Sequence, residues 1–115
     1  FTPEGFNNFD HTEVYAPRTG AWTRGTLTLP WTAAGAGACM AGGGAHVFGG
    51  YSGDGISDHC AAYDPAARKW QILAQIPQPL AAMGVAVLED SIYLLGGWAD
   101  DGRTPQDCFY AYRFR

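Results

Sequence analysis

The run Asp58-His59-Cys60 brings together an acid, a base and a nucleophile, which are the residue types of nucleophilic catalysis. The run lies at the start of a predicted strand, and neighbouring strand residues point to opposite faces of a sheet. The three side chains therefore cannot converge on one substrate. The position of His59 is also filled by His11 and Cys108 in other copies of an internal repeat. We interpret the run as structural and predict no catalytic residue in it.

No other pattern predicts a cofactor or metal site. The run Gly35-Ala36-Gly37 begins like a dinucleotide-binding loop, but Met40 stands where a small residue is needed, and a predicted strand follows instead of a helix. The three His and three Cys residues include no pair at zinc-ligand spacing. Cys39, Cys60 and Cys108 are an odd set, which favours free thiols and leaves a disulfide plus one thiol as the alternative. We expect no cofactor, no metal and no enzyme activity.

The charge balance argues against nucleic acid and membrane as partners. The 115 residues include 7 basic and 11 acidic side chains, for a net charge of −4, whereas phosphate binding needs a basic face. No apolar run approaches the ~18 residues of a membrane span. The chain begins at Phe1 and not at Met, so we expect that preceding residues are missing and that the absence of a signal peptide says little. Reduced cysteines favour the cytoplasm.

An internal repeat organises the chain. The segment VYAPRTGAW (14–22) returns as AYDPAARKW (62–70), and VFGGYSGDG (47–55) returns as LLGGWADDG (94–102). A third, shorter copy ends near Tyr112. The period of 47–49 residues is typical of propeller arrays and is longer than the common helical repeats.

Short apolar runs between turn residues predict four strands in each repeat. The composition agrees, because 16 glycines, 14% aromatic and only 16% charged residues are typical of short strands and tight turns. The predicted strands lie near 11–15, 21–26, 35–41, 45–49, 58–63, 68–74, 83–88, 91–96 and 108–114. No long helical stretch is evident.

These positions resemble the kelch motif, which has a double glycine closing the second strand, a Tyr on the third strand and a Trp on the fourth. The matching residues are Tyr15, Trp22, Gly49, Gly50, Tyr63, Trp70, Gly96, Gly97 and Tyr112. The resemblance covers nearly the whole chain and implies an all-β fold of four-stranded antiparallel propeller blades. In that fold the glycine pairs let backbones approach closely, and the aromatic rings pack between blades. We expect Trp22 and Trp70 to be largely buried in equivalent places.

The chain is too short for a whole propeller, which needs about four to eight blades. The resemblance implies the third and fourth strands of one blade near 10–27, a full blade near 35–74, and a blade without its fourth strand near 83–115. We expect residues 1–115 to be part of one kelch propeller domain in a longer chain. The alternative is that several copies assemble into a ring.

The remaining candidate for function is a surface. In a propeller, the loops between second and third strands and those between blades lie on one face. The candidate partner-binding residues of these loops are Trp31, Tyr51, Ser52, Asp54, Trp98, Asp100, Asp101 and Arg103. Tyr51 and Trp98 both follow a diglycine, and exposed aromatic loop residues favour binding. The other possibility is that these rings pack on neighbouring loops.

The chain is most similar to the kelch domains of BTB–Kelch ubiquitin-ligase adaptors. That resemblance implies a protein-interaction module that recruits a protein substrate to a cullin ubiquitin ligase. Family members that hold acidic peptides place Arg and Ser just before the first strand, whereas Ala33-Ala34 and Leu80-Ala81 stand there in this chain. Aromatic residues flanked by Asp fit an apolar or basic ligand better, because complementary charge sets specificity.

Two other functions stay open. One is an actin-binding cytoskeletal kelch protein, which co-sedimentation with filamentous actin would favour. The other is a kelch-fold enzyme, either an oxidase or a sugar-processing enzyme, which an ordered metal or a polar cluster at the propeller axis would favour. A BTB domain upstream would favour the adaptor. The expected partners are thus a protein substrate or a cytoskeletal protein, together with the rest of the propeller.

Overall fold

The computed structural model describes residues 9–53, 55–99 and 104–114. Within these ranges every regular element is a β-strand, and all strand pairs are antiparallel. The strands are β1 (Phe9–Ala16), β2 (Ala21–Ala33), β3 (Gly37–Ala41), β4 (Gly44–Phe48), β5 (Tyr51–Ser52), β6 (Gly55–Ile56), β7 (Cys60–Asp64), β8 (Lys69–Ile72), β9 (Gly84–Leu88), β10 (Ser91–Leu95) and β11 (Phe109–Arg113). The predicted all-β class is confirmed.

Strands β3, β4, β7 and β8 form a four-stranded sheet in that order. A two-residue turn, Gly42-Gly43, joins β3 to β4. In the turn from β7 to β8, Oδ1 of Asp64 accepts hydrogen bonds from the backbone N–H groups of Ala66 (3.0 Å) and Ala67 (3.2 Å). Asp is favoured in turns because its carboxylate can satisfy backbone donors in this way.

The other two main sheets correspond to parts of this one. Strands β9, β10 and β11 form a three-stranded sheet with β10 in the middle, and they match β3, β4 and β7 of the preceding repeat. Strands β1 and β2 form a two-stranded sheet that matches β7 and β8. Its register shifts on both sides of His11, which marks bulges in the pairing. β2 continues to Ala33, beyond the predicted end at residue 26.

The main hydrophobic core lies between the four-stranded and the three-stranded sheet. Its largest fully buried side chains are Phe48, Cys60, Leu80 and Ile92. Strands β3 and β9 lie side by side, and Gly37 allows this approach. A Cβ at position 37 would lie 2.5 Å from Sδ of Met83 and 2.6 Å from Cγ2 of Val85, so a larger residue would force these side chains to move. The packing between sheets therefore depends on a small residue in β3.

The Tyr and Trp residues of the repeat pair across strands in the same way. Tyr15 lies opposite Trp22 with ring centroids 5.0 Å apart, and Tyr63 lies opposite Trp70 at 5.5 Å. Trp70 is half-buried. The expectation that Trp22 is largely buried is wrong, because 67% of it is exposed. Among the described residues its sheet has only two strands, and the ring packs on Tyr15 with most of its surface in solvent.

Tyr112 packs between sheets, as the resemblance implies for this position. Its ring centroid lies 6.3 Å from that of His46 and 6.5 Å from that of Phe48, so β11 contacts β4 of the neighbouring sheet. The chain is thus all-β, with small antiparallel sheets, two of which share a core. Their arrangement as blades of a kelch propeller stays a prediction.

Candidate functional site

The double glycines of the repeat lie where β4 and β10 end. The side of the sheets formed by these strand ends is here named the diglycine edge. Gly49-Gly50 follows β4 and Gly96-Gly97 follows β10, with φ angles of 59° and 95° in the first pair and 64° and 95° in the second. These left-handed conformations are costly for residues with a Cβ. Because neighbouring strands run in opposite directions, β3, β7, β9 and β11 begin at the same edge. The described parts of the connecting segments, 49–53, 55–59, 73–83, 96–99 and 104–108, therefore lie at this edge.

Tyr51 and Trp98 occupy equivalent positions on the diglycine edge. The backbone N–H of Tyr51 donates to Ala34 O at 2.7 Å, and the N–H of Ala34 donates to Tyr51 O at 2.9 Å. Trp98 and Ala81 make the same pair of bonds, at 2.8 and 3.0 Å. Both aromatic residues are half-buried, so neither is enclosed between the sheets. The structure brings these two candidate residues to one edge, one repeat apart.

Trp31 adds a third aromatic side chain to the diglycine edge. Its indole Nε1–H donates to the backbone carbonyl of Gly49 at 2.9 Å. Its ring centroid lies 5.4 Å from that of His59, which is exposed. Sequence reasoning did not assign His59 to this face. The alternation of side chains along a strand could have indicated the exposure of His59. If Cys60 is buried, the neighbouring His59 points to the other side.

The segment after Gly50 folds into a small hairpin that the sequence did not predict. Strands β5 and β6 pair with each other, and Oγ of Ser52 donates to the carbonyl of Gly55 at 3.1 Å. Ser52 is therefore engaged in holding the hairpin closed. Asp54, another candidate residue, lies outside the described residues.

The segment after Gly97 follows a different path. Trp98 forms a second backbone bridge, to Pro105. The N–H of Gln106 donates to the carbonyl of Gly97 at 2.8 Å, and its side-chain Nε2 donates to Thr104 O at 3.1 Å. The candidate charged residues of this segment, Asp100, Asp101 and Arg103, lie outside the described residues.

The residues across from the aromatic side chains are small and apolar. Ala34 and Ala81 are the bridge partners of Tyr51 and Trp98, and Leu80-Ala81 is fully buried. Asp58 adds a carboxylate to this edge, and its Oδ1 accepts a hydrogen bond from Nε2 of Gln75 at 3.2 Å.

The run Asp58-His59-Cys60 does not form a catalytic group. Cys60 is buried in the core between the sheets, whereas His59 is exposed. Burial raises the pKa of Cys60 to about 12, with a further contribution from Cys39, so the thiolate that a nucleophile requires is scarce at neutral pH. The three cysteines are free thiols. Within residues 9–53, 55–99 and 104–114, no group of three His, Cys, Asp or Glu side chains could hold a metal ion.

Comparison with known proteins shows a shared fold. No protein-family model matches the chain. A solved structure described as "Structure of YjhT" matches 98% of this chain with a TM-score of 0.80 at 21% sequence identity. The match covers 43% of that protein, so this chain spans less than half of its length. At this identity the likeness is one of fold alone.

Across the described parts of the chain there is no helix with the length and apolar character that a bilayer crossing demands.

Proposed function

We propose that this chain is part of a kelch-type propeller that serves as a protein-interaction module, with the diglycine edge as its binding face. One observation carries the proposal. Tyr51 and Trp98 follow equivalent diglycines, are held by the same backbone bridge and keep part of their surface exposed at one edge.

Rigidly held aromatic side chains are well suited to binding proteins. Tyr and Trp are enriched among the residues that dominate binding energy at protein interfaces. Binding costs less when the backbone that carries such a ring is already ordered. The backbones of Tyr51 and Trp98 are tied to Ala34 and Ala81, and the indole of Trp31 is fixed to Gly49. Three aromatic groups at one edge, two of them on tied backbone and one held by its indole, therefore favour a protein or peptide as the ligand.

The chemistry around these rings favours an apolar or basic partner. Alanine occupies the positions opposite Tyr51 and Trp98, and a carboxylate oxygen of Asp58 lies 4.0 Å from Nδ1 of His59, whose ring packs against Trp31. The whole chain carries a net charge of −4. An acidic peptide would be repelled by such a face, whereas a basic segment would be attracted to it.

The cellular role that we propose rests on the resemblance to BTB–Kelch adaptors. In that setting the module recruits a protein substrate to a cullin ubiquitin ligase in the cytoplasm, and the described sheets form part of a larger propeller. A partner identified by the experiment below would be a ligase substrate in this case. Recovery of filamentous actin would instead favour a cytoskeletal role.

The test compares captured proteins between variants of the tagged chain. Tyr51→Ala and Trp98→Ala remove the proposed contacts, and Trp22→Ala is the matched control. Trp22 is 67% exposed, and it lies beside the β1–β2 turn, at the opposite end of β2 from Ala34. Quantitative mass spectrometry should find a partner that both edge variants lose and the control keeps.

The affinity of that partner is then measured by calorimetry. Each edge variant should weaken binding by about 2 kcal/mol, as expected for an aromatic residue at the centre of an interface. Unchanged affinity in both edge variants, with melting temperatures equal to that of the wild type, would show that the diglycine edge is not the binding face.

A further inference from the structure

His59 contacts an aromatic side chain and a carboxylate on the diglycine edge. Its ring centroid lies 5.4 Å from that of Trp31, and its Nδ1 lies 4.0 Å from a carboxylate oxygen of Asp58. The side chain of Asp58 is 34% exposed and that of His59 is 52% exposed, while Trp31 is half-buried. Solvent therefore reaches all three side chains, which are here named the Trp31 cluster.

Hydrogen bonds hold the Trp31 cluster in place. The indole Nε1–H of Trp31 donates to the carbonyl of Gly49 at 2.9 Å, and Oδ1 of Asp58 accepts from Nε2 of Gln75 at 3.2 Å. The backbone is tied as well, because the N–H of Gly49 donates to the carbonyl of His59 at 2.8 Å. A ligand at the cluster therefore meets groups that are already ordered, which lowers the cost of binding.

The charge of Asp58 is not neutralised by a basic side chain of the described chain. In the parts of the chain that the structure describes, no Lys or Arg forms an ion pair with Asp58. In sequence, the segments that connect strands at this edge, 49–59, 73–83 and 96–108, contain five Asp and one Arg, which equals the net charge of −4 of the whole chain. A partly exposed carboxylate in such surroundings favours a cationic ligand, because complementary charge sets specificity.

The following repeat keeps the carboxylate and lacks the two rings. Asp107 is the counterpart of Asp58, but Cys108 and Gln78 stand where the preceding repeat has the rings of the Trp31 cluster. Asp107 is exposed. The chain therefore carries the same carboxylate twice at one edge, once beside an aromatic pair and once without it, and the second copy is a built-in control for the first.

A guanidinium group suits the Trp31 cluster better than an ammonium group does. A guanidinium is planar and weakly hydrated, stacks on aromatic faces, and can donate two parallel hydrogen bonds to one carboxylate. An ammonium is a compact and strongly hydrated charge. Each carboxylate oxygen can accept two hydrogen bonds, so the bond from Gln75 leaves Asp58 able to accept both bonds of a guanidinium.

We propose that the Trp31 cluster is an arginine-binding subsite of the diglycine edge. Asp58 accepts hydrogen bonds from the guanidinium, and the exposed aromatic surface of Trp31 and His59 packs on its plane. The subsite rests on the proposed function, because the arginine belongs to the partner protein that also contacts Tyr51 and Trp98.

Three blocked tripeptides test the proposal by nuclear magnetic resonance. They carry arginine, lysine or citrulline between two leucines, and citrulline keeps the shape of arginine without its charge. Each peptide is titrated into the isotope-labelled chain, and the indole N–H signal of Trp31, assigned with Trp31→Phe, reports binding. The arginine peptide should shift this signal saturably. The citrulline peptide should bind about tenfold more weakly, because a hydrogen bond to a charged group is the stronger one, and the lysine peptide about threefold more weakly, because it stacks less well.

Two matched variants of the chain locate the subsite. Asp58→Asn removes the charge of the proposed acceptor and keeps its size, and it should weaken binding of the arginine peptide about tenfold. Asp107→Asn makes the same change at the repeat position that lacks the aromatic pair, and it should leave the affinity unchanged. Circular dichroism checks that both variants fold. If Asp58→Asn does not fold, the comparison of the arginine and citrulline peptides on the wild-type chain decides.

Three results would overturn the proposal. The first is no shift of the Trp31 signal with the arginine peptide. The second is equal affinity of the arginine and citrulline peptides. The third is an equal loss of affinity in Asp58→Asn and Asp107→Asn, because the carboxylates would then act as a diffuse negative surface.

The outcome for the subsite can be told apart from the outcome for the proposed function. A captured partner that binds more weakly to Tyr51→Ala and Trp98→Ala, but equally well to Asp58→Asn, would overturn the arginine subsite and leave the diglycine edge as the binding face. A partner that is weakened by Asp58→Asn as well supports both.

Discussion

Phe48 lies at the centre of the packing between the two larger sheets, and Phe48→Ala tests that packing most clearly. Its exposure is 1%, and its ring lies near those of His46 and Tyr112, at 6.4 and 6.5 Å. Tyr112 belongs to the neighbouring sheet, so the substitution removes contacts on both sides of the core. Burial this complete leaves little room for relaxation, and Phe→Ala at such sites costs about 3–5 kcal/mol.

The size of the chain converts this cost into a melting temperature. At about 2.1 cal/mol/K for each residue, unfolding 115 residues has an entropy near 0.24 kcal/mol/K. A loss of about 4 kcal/mol should therefore lower the midpoint by roughly 17 °C. Thermal unfolding, monitored by circular dichroism, measures the change in midpoint. Urea titration gives the free energy of unfolding independently.

Phe109→Ala is the matched control, because it removes the same side chain from a site that is 61% exposed. We expect a change of less than about 1 kcal/mol there, as is usual at surface positions. The shared core between the sheets would be contradicted if both variants lost the same free energy of unfolding. It would also be contradicted if Phe48→Ala lost less than about 1 kcal/mol.

Three further predictions concern the diglycine edge and the core. Trp31→Phe removes the indole hydrogen bond to Gly49 and should cost about 1 kcal/mol in urea unfolding; an unchanged midpoint would mean that the bond contributes nothing. Gly97→Ala should cost about 1–3 kcal/mol, because its φ of 95° strains any other residue, whereas Gly53→Ala, with no atom within 4 Å of the added Cβ, should be near neutral; similar midpoints for the two would refute the argument. Burial raises the pKa of Cys60 from 9.0 to about 12, so the unfolded chain loses this proton first and stability should fall as pH rises above about 9. Cys60→Ala should flatten that decline in unfolding titrations between pH 8 and 10, and identical slopes would contradict it.

The strands could be predicted from the sequence because their patterns recur in successive copies of the repeat. Glycine and Asp at the turns, with short apolar runs between them, fixed the expected positions of β4 and β10 to within about one residue of those observed. The repeat also predicted that Tyr51 and Trp98 are equivalent. These features are local, or are copied from one repeat to the next, so a single sequence contains the signal.

The features that sequence reasoning missed depend on contacts between distant segments. The exposure of Trp22 follows from how few strands surround it, and a repeated Trp gives no information about that. The contact between Trp31 and His59 joins segments that are far apart in sequence. The hairpin of β5 and β6 is too short to show an alternating apolar pattern, so its residues resemble an ordinary polar loop.

Photo-crosslinking at the diglycine edge tests the proposed function most directly. A benzophenone amino acid replaces Tyr51, Trp98 or Trp22 in separate versions of the tagged chain, which are irradiated in cells. The proposed binding face predicts that the probes at positions 51 and 98 crosslink to the same partner protein, while the probe at position 22 does not. Crosslinks to that partner from position 22 alone, or equally from all three positions, would contradict it.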